Sequence, residues 1–194
     1  MLAFLEGIDH QLFFAVNNGL SMLGLDYLFW LVSGLSSGAG LLISVAIGLW
    51  CCDRPTFKCH FVWIVLALLV GGAMIQAIKY SIGRPRPLSE FALLLQSGEV
   101  HINVIGQALR SRSFPSGHAQ AAASVFTYMW LLYPRRWMWW SAGLFLAAVS
   151  RVYVGVHFPS DVFAGVLLGS LATAAVMQGR HLWVAAQADE RHKT

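Results

Sequence analysis

The sequence predicts an all-α fold, a polytopic helical bundle in a membrane with five transmembrane helices and a further helix at the N-terminus. Two observations support this prediction. Hydrophobic residues make up 57% of the 194 residues and charged residues 11%, whereas soluble domains average about 25% charged residues. The apolar residues also form long uncharged runs, and about 20 apolar residues are enough for a helix to cross a bilayer. We expect one domain over residues 1–194.

Charge and cysteine content exclude several other classes. The net charge of +4 is modest, and nucleic-acid binding needs a dense basic surface, so no nucleic-acid partner is expected. Cys51, Cys52 and Cys59 have no zinc-site spacing. We predict free thiols, with a disulfide as the alternative. No basic segment precedes the first apolar run, because Arg54 is the first cation, so no secretory signal is expected.

The N-terminal third holds one doubtful helix and one span. Residues 1–22 are interrupted by polar residues such as Glu6 and Asp9, but apolar residues recur there at helical spacing: Leu5, Ile8, Leu12, Phe13 and Val16. This pattern favours an amphipathic helix at the membrane interface, with a sixth spanning helix as the alternative. Residues 26–51 form the first span, in which serines and glycines between 33 and 40 are placed to kink the helix. A polar loop at 53–58 follows.

Four more spans complete the bundle. The span 60–78 runs into Lys79 and is ended by Gly83, Pro85 and Pro87. Residues 88–112 form the longest polar connection, with a short surface helix near 91–95. Spans follow at 114–133, 137–153 and 160–178, and the last contains Gly165 and Gly169 at a spacing that permits close helix packing.

Alternation of the spans brings three polar clusters to one face of the membrane. The loops after residues 51, 133 and 178 fall on the other face. That face carries seven cations: Arg54, Lys58, Arg135, Arg136, Arg180, Arg191 and Lys193. The cluster face carries six: Lys79, Arg84, Arg86, Arg110, Arg112 and Arg151. Three of the six belong to the candidate site, and without them the positive-inside rule points the site outward, towards the periplasm or exterior.

The clustered residues suit chemistry on a phosphate. Ionisable groups in a membrane indicate a functional site because their burial is costly. Lys79, Arg86 and Arg151 supply cations for a dianion, and Ser116-Gly117 opens a span whose free N–H groups also bind anions. The carboxylate of Asp161, four residues after His157, can orient that imidazole. His118 is then available as an acid, although composition alone does not assign the two histidines.

Three motifs resemble the signature of the type 2 phosphatidic acid phosphatase superfamily. They are Lys79-x6-Arg86-Pro87, Pro115-Ser116-Gly117-His118 and Ser150-Arg151-x5-His157-x3-Asp161. The resemblance implies a six-helix core and a phosphatase that uses neither metal nor cofactor and forms a phosphohistidine intermediate. It assigns the nucleophile to His157, supported by Asp161, and the leaving-group acid to His118. It assigns phosphate binding to Lys79, Arg86, Ser116, Gly117 and Arg151.

The resemblance also implies a substrate and a location. Small bacterial members of the superfamily resemble phosphatases of undecaprenyl pyrophosphate, phosphatidylglycerophosphate and lipid A, and we expect undecaprenyl pyrophosphate here. The partners are then a lipid phosphate and membrane lipids, with no obligate protein partner, in the bacterial inner membrane. Three other functions stay open: a phosphotransferase using the same intermediate, a serine hydrolase using Ser116 with His157, and a transporter or scaffold without chemistry.

Overall fold

All regular secondary structure in the described part of the chain is helical, as predicted. A computed structural model describes the backbone of residues 2–193 and the side chains of residues 4 and 6–191. Residues 1 and 194 lie outside the described part of the chain. So do the side chains of Leu5, which was used above in the periodicity, and of Lys193, which was used in the charge count. The helices are α1 (Leu2–Asn17), α2 (Leu23–Leu35), α3 (Gly38–Cys52), α4 (Arg54–Ile82), α5 (Pro87–Glu90), α6 (Ala92–Ser97), α7 (Gly117–Leu132), α8 (Trp137–Tyr153) and α9 (Pro159–Lys193), with a 3₁₀ turn at Pro134–Arg136.

Helices long and apolar enough to cross a membrane are present. Within the described residues, segments in Arg54–Ser97 and Pro159–Arg191 meet this condition, and the bent pair α2–α3 adds a third if its two helices are counted as one span. Helices α7 and α8 have 16 and 17 residues, fewer than the roughly 20 expected of a span. The number of five spans therefore stays a prediction. Helix α9 continues well beyond residue 178, the predicted end of its span, to Lys193.

The predicted span 26–51 is two helices bent by 80°. Ser36 ends the first half, and its hydroxyl donates to the Ser33 carbonyl at 3.0 Å. The Ser37 hydroxyl accepts from Gly40 N at 3.0 Å and caps α3. Serine hydroxyls compete for backbone groups in this way at helix ends. The kink expected from the serines is thus a complete break.

Helix α4 begins earlier than predicted. The expected loop at 53–58 is wrong because Asp53 is the N-cap, accepting from Thr56 N at 3.2 Å, and Pro55 lies in the first turn. Both residues favour a helix start. The Tyr133 hydroxyl also donates to Asp53 at 2.7 Å, which joins the α3–α4 and α7–α8 connections at one end of the bundle. Helix α4 ends at Gly83 with φ +61°, as the sequence predicts.

The N-terminal helix buries two of its polar residues against the bundle. Asp9 and Asn17 are buried beside Phe13. Asn17 donates to the carbonyls of Asn103 at 2.8 Å and Tyr153 at 2.7 Å. The exposed face of α1 includes the apolar Phe4, Ile8 and Leu12 together with Glu6. Asp9 and Asn17, which interrupt the apolar pattern of α1, are therefore anchors to the rest of the protein.

Small residues bring α9 against α7, as the spacing of Gly165 and Gly169 predicts. A Cβ atom at Gly165 would overlap the Ser116 carbonyl oxygen, and one at Gly169 would overlap that of Gln120. The close contact allows Ser116 N to donate to the Asp161 carbonyl at 2.9 Å. It thereby fixes the start of α7 beside the first turn of α9.

We expect Gly165→Ala to destabilise the protein. The added methyl group has no space, and overpacking of this kind costs about 1–3 kcal/mol. Gly179→Ala is the matched control on the same helix, because nothing lies within 4 Å of its Cβ position, and alanine favours a helix over glycine by about 1 kcal/mol. Thermal unfolding in detergent measures both. A Gly165→Ala protein as stable as the control would contradict this account of the packing.

Candidate active site

His157 and Asp161 form a buried pair where α8 gives way to α9. His157 lies in the segment between the helices and Asp161 in the first turn of α9, with 2% and 0% of their side chains exposed. Nδ1 of His157 lies 3.4 Å from Oδ2 of Asp161, a long contact of the kind that tightens when a substrate binds. The same Oδ2 accepts from Phe158 N at 2.9 Å and from the Ser113 hydroxyl. This arrangement favours the proton on Nδ1 and the lone pair on Nε2.

Arg86 faces the other ring nitrogen. Its Nη1 lies 3.3 Å from Nε2 of His157 and donates to the Val156 carbonyl at 2.9 Å. Its Nε donates to the Ser111 carbonyl at 2.8 Å. The guanidinium is buried and hydrogen-bonded to two carbonyls. A positive charge therefore lies next to Nε2 of His157, the nitrogen that carries the lone pair.

Arg151 and His118 adjoin an apolar cavity of about 410 Å³. Arg151 is 6% exposed, and its Nη1 donates to the Ser33 hydroxyl at the end of α2. Its Nε has no hydrogen-bond partner among the described residues. His118, in the first turn of α7, lines the same cavity. The remaining wall is largely apolar and includes Trp30, Leu31, Ile105 and Leu109.

Lys79 and the start of α7 complete the site. Lys79 Nζ donates to the Arg112 carbonyl at 2.9 Å, and its charge is within electrostatic range of Arg86 and Arg151. Ser116 is buried and caps α7, accepting from Ala119 N at 3.5 Å. Gly117 is the first helical residue. The structure thus places all eight residues singled out from the sequence at one end of the bundle.

Three residues of this cluster were not predicted from the sequence: Ser113, Arg84 and Asp9. Ser113 contacts both Asp161 and His157. Arg84 donates to Oδ1 of Asp161 and to Oδ2 of Asp9, each at 2.8 Å. Two features of the sequence could have indicated two of them: Arg84 lies between Gly83 and Arg86, and Asp9 is a carboxylate in the apolar helix α1. Burial works against the charge of Arg84, but the hydrogen bond to Asp9 and the charge of Asp161 outweigh it and raise its pKa.

The fold and the site together define an all-helical protein suited to a membrane, with a buried His–Asp pair and several cationic side chains at one end of its bundle. The sequence model of the PAP2 superfamily matches residues 60–184, and the chain belongs to this superfamily. The family resemblance predicted from the three motifs is confirmed.

Curated relatives match parts of the chain. A lipid A 1-phosphatase of Rhizobium etli is 32% identical over 122 residues, which cover 59% of this chain and 49% of that protein. An undecaprenyl-diphosphatase of Sulfolobus acidocaldarius is 49% identical over 61 residues, covering 30% of this chain and 29% of that one. The chain spans about half the length of the lipid A 1-phosphatase that it matches.

Solved structures match most of the chain. LpxE of Aquifex aeolicus superposes with a TM-score of 0.69 and 28% identity, covering 87% of this chain and 93% of that one. A transmembrane PAP2-type phosphatidylglycerolphosphate phosphatase of Bacillus subtilis superposes with a TM-score of 0.70, covering 91% and 86%, and at 20% identity shows the fold alone. These matches show the helical fold of the chain, whose long apolar helices are suited to a membrane.

The protein should become less stable as the pH is lowered, because of His157. Burial, helped by the positive charge of Arg86, lowers the pKa of His157 below its usual 6.5 despite the opposing hydrogen bond to Asp161. Below pH 6.5 the unfolded chain then binds more protons than the native one, so stability falls as pH falls, by at most about 1.4 kcal/mol per pH unit from this group. His157→Gln removes the titration. The Tm of the wild type minus the Tm of this variant should therefore decrease from about pH 7.5 to about pH 5.5. A value that stays constant or increases over this range would contradict the assignment.

Proposed function

We propose that this protein is a metal-independent lipid phosphatase that works through a phosphohistidine. One observation supports it most directly: Nε2 of His157 faces the Arg86 guanidinium at 3.3 Å, with Asp161 behind the opposite ring nitrogen. The lone pair therefore points at the place where a cation would hold a phosphate. A histidine serving only as a helix anchor would not need both partners.

The reaction then has two steps. Lys79, Arg86, Arg151 and the N-terminus of α7 hold the phosphate, and Nε2 of His157 attacks phosphorus while the bond to the leaving oxygen breaks. His118 gives its proton to that oxygen. In the second step His118 takes a proton from water, the water oxygen bonds to phosphorus, and the P–N bond breaks to release phosphate and free His157. Asp161 stabilises the positive charge on the imidazole during both steps.

The substrate class follows from the surroundings of Arg151. The 410 Å³ cavity beside Arg151 and His118 has mostly apolar walls, which suit the chain of a lipid whose phosphate reaches the cations. We propose undecaprenyl pyrophosphate as the substrate, on the basis of the 49% identity to an undecaprenyl-diphosphatase. A lipid A 1-phosphate is the second candidate, favoured by the longer match to a lipid A 1-phosphatase and the near full-length similarity to LpxE.

We also propose the orientation in the membrane. Five spans, with α1 at the interface, would place the Asp53–Tyr133 end in the cytoplasm and the site at the periplasmic or outer side of the bacterial inner membrane. The larger number of cations outside the site lies at the Asp53–Tyr133 end, as the positive-inside rule requires.

Of the two other chemistries, the serine hydrolase fits the site less well, whereas the phosphotransferase uses the same site. A serine hydrolase would need Ser116 as its nucleophile, but its hydroxyl accepts from Ala119 N and caps α7. The serine in contact with His157 is Ser113, whose hydroxyl donates to Asp161 instead. A phosphotransferase would differ only in the acceptor of the phosphoryl group, so products formed with and without an added alcohol separate it from a hydrolase.

Replacing the histidines should separate their roles. His157→Ala should leave essentially no turnover, because it removes the nucleophile. His118→Ala should lower kcat by roughly 10²–10⁴-fold on a lipid phosphate, the usual value of general acid catalysis. The loss should be much smaller with p-nitrophenyl phosphate, whose leaving group needs no proton. His101→Ala, in an exposed loop, is the control. The roles are reversed if His118→Ala is the inactive variant and His157→Ala recovers with p-nitrophenyl phosphate.

Phosphate release from purified lipids in detergent tests the function itself. The panel contains undecaprenyl pyrophosphate, a lipid A 1-phosphate and phosphatidylglycerophosphate. Because the proposed anion ligands are cations, and the described residues hold no group of three or more metal-ligating side chains, activity should persist in EDTA. Vanadate should inhibit. Activity that is lost in EDTA and restored by magnesium would contradict the proposal, as would no release from any lipid.

A further inference from the structure

Arg84 lies between two carboxylates from opposite ends of the sequence. Its Nη1 donates to Oδ1 of Asp161 and to the Ser160 hydroxyl, at 2.8 and 2.7 Å, and its Nη2 donates to Oδ2 of Asp9 at 2.8 Å. The side chains of Asp9 and Asp161 are 8% and 0% exposed, and that of Arg84 is 23% exposed. Two carboxylates bound to one planar fork make a rigid unit.

Asp9 is fixed as firmly as the arginine. Its Oδ1 accepts from Ser160 N at 2.8 Å, and its Oδ2 accepts from the Ser160 hydroxyl at 2.6 Å. The Arg84 guanidinium also lies 4.3 Å from the centre of the Phe158 ring. Helix α1 is therefore joined to the segment that carries His157 and Asp161.

The two oxygens of Asp161 have separate partners. Arg84 occupies Oδ1, while Oδ2 faces His157, Ser113 and Phe158 N. Both Nη atoms of Arg84 are engaged by protein groups. This distinguishes Arg84 from Arg86, which has an Nη beside His157. Arg84 is thus suited to hold Asp161 rather than to bind phosphate.

Charge gives Asp9 a role of its own. An Arg84–Asp161 pair alone is neutral and would stabilise a positive imidazole poorly. Asp9 adds a second negative charge, so the three groups together carry a net −1. We propose that Asp9 and Arg84 are positioning residues that set the orientation and charge of Asp161 behind His157, so that α1 completes the catalytic unit. This inference rests on the proposed phosphatase function.

Asp9→Asn tests the charge while keeping the shape of the side chain. The partners that orient metal-binding histidines typically contribute about 10–100-fold to activity, and Asp9 acts on His157 through Arg84 and Asp161, so we expect kcat to fall by about tenfold or more. KM and inhibition by inorganic phosphate should stay near the wild-type values, because the proposed phosphate ligands are unchanged. Glu6→Gln is the matched control: it neutralises an exposed carboxylate on the same helix and should leave kcat unchanged.

Arg84→Ala offers a readout that a merely structural role would not give. An open cavity of about 680 Å³ is lined by Asp9, Arg84 and Ser160, so a small cation can reach the vacated position. Guanidinium, added well below unfolding concentrations, should restore kcat in Arg84→Ala in a saturable manner. Methylammonium, which has the charge without the planar fork, should restore less. Guanidinium should not restore His157→Ala.

Three results would overturn the inference. The first is a wild-type kcat in Asp9→Asn, and the second is a loss of inhibition by inorganic phosphate in Asp9→Asn as large as its loss of kcat. The third is the absence of rescue by guanidinium in a folded Arg84→Ala protein. If Arg84→Ala does not fold, Arg84→Lys replaces it, and its kcat must fall because an ammonium lacks the planar fork that places separate Nη atoms on Asp161 and Asp9. An active His157→Ala protein would instead contradict the proposed function. The two failures are therefore distinguishable.

Discussion

The buried carboxylate of Asp161 is the constraint on which the site depends. A charge in an apolar interior is tolerated only when it is paired and hydrogen-bonded. Asp161 meets this requirement with Arg84 after α4, Ser113 before α7 and Phe158 N beside His157. Its backbone carbonyl also accepts from Ser116 N. Three segments distant in sequence must therefore meet at one residue, and the His157 imidazole is held where they meet.

Helix packing makes this meeting possible. Glycines at 165 and 169 let α9 approach the backbone of α7, so that Ser116 and Asp161 come into contact. The break between α2 and α3 leaves the hydroxyl of Ser33 beside Arg151 and borders the apolar cavity. The same small and polar residues that interrupt the apolar helices thus shape the site and the cavity beside it.

Sequence periodicity and motif spacing predicted much of this arrangement. The all-helical class, the end of α4 at Gly83 and the residues 137–153 of α8 are as expected. Hydropathy could not locate the helix start at Arg54 or the break after Leu35, because these depend on single side-chain hydrogen bonds: Asp53 and Ser37 accept from backbone N–H groups, and Ser36 donates to a carbonyl. Nor could it pair Asp9 with Arg84. That contact joins residues 75 apart and depends on how α1 packs, which no local pattern contains.

The central claim is that Nε2 of His157 attacks phosphorus with Asp161 supporting the opposite nitrogen. The most direct test is to mix the enzyme with a ³²P-labelled lipid phosphate, quench within milliseconds under alkaline conditions that preserve phosphohistidine, and map the label by mass spectrometry. The account predicts a transient label on His157, present in His118→Ala with p-nitrophenyl phosphate and absent in His157→Ala. Label on His118 or on a serine, or label that persists in His157→Ala, would contradict it.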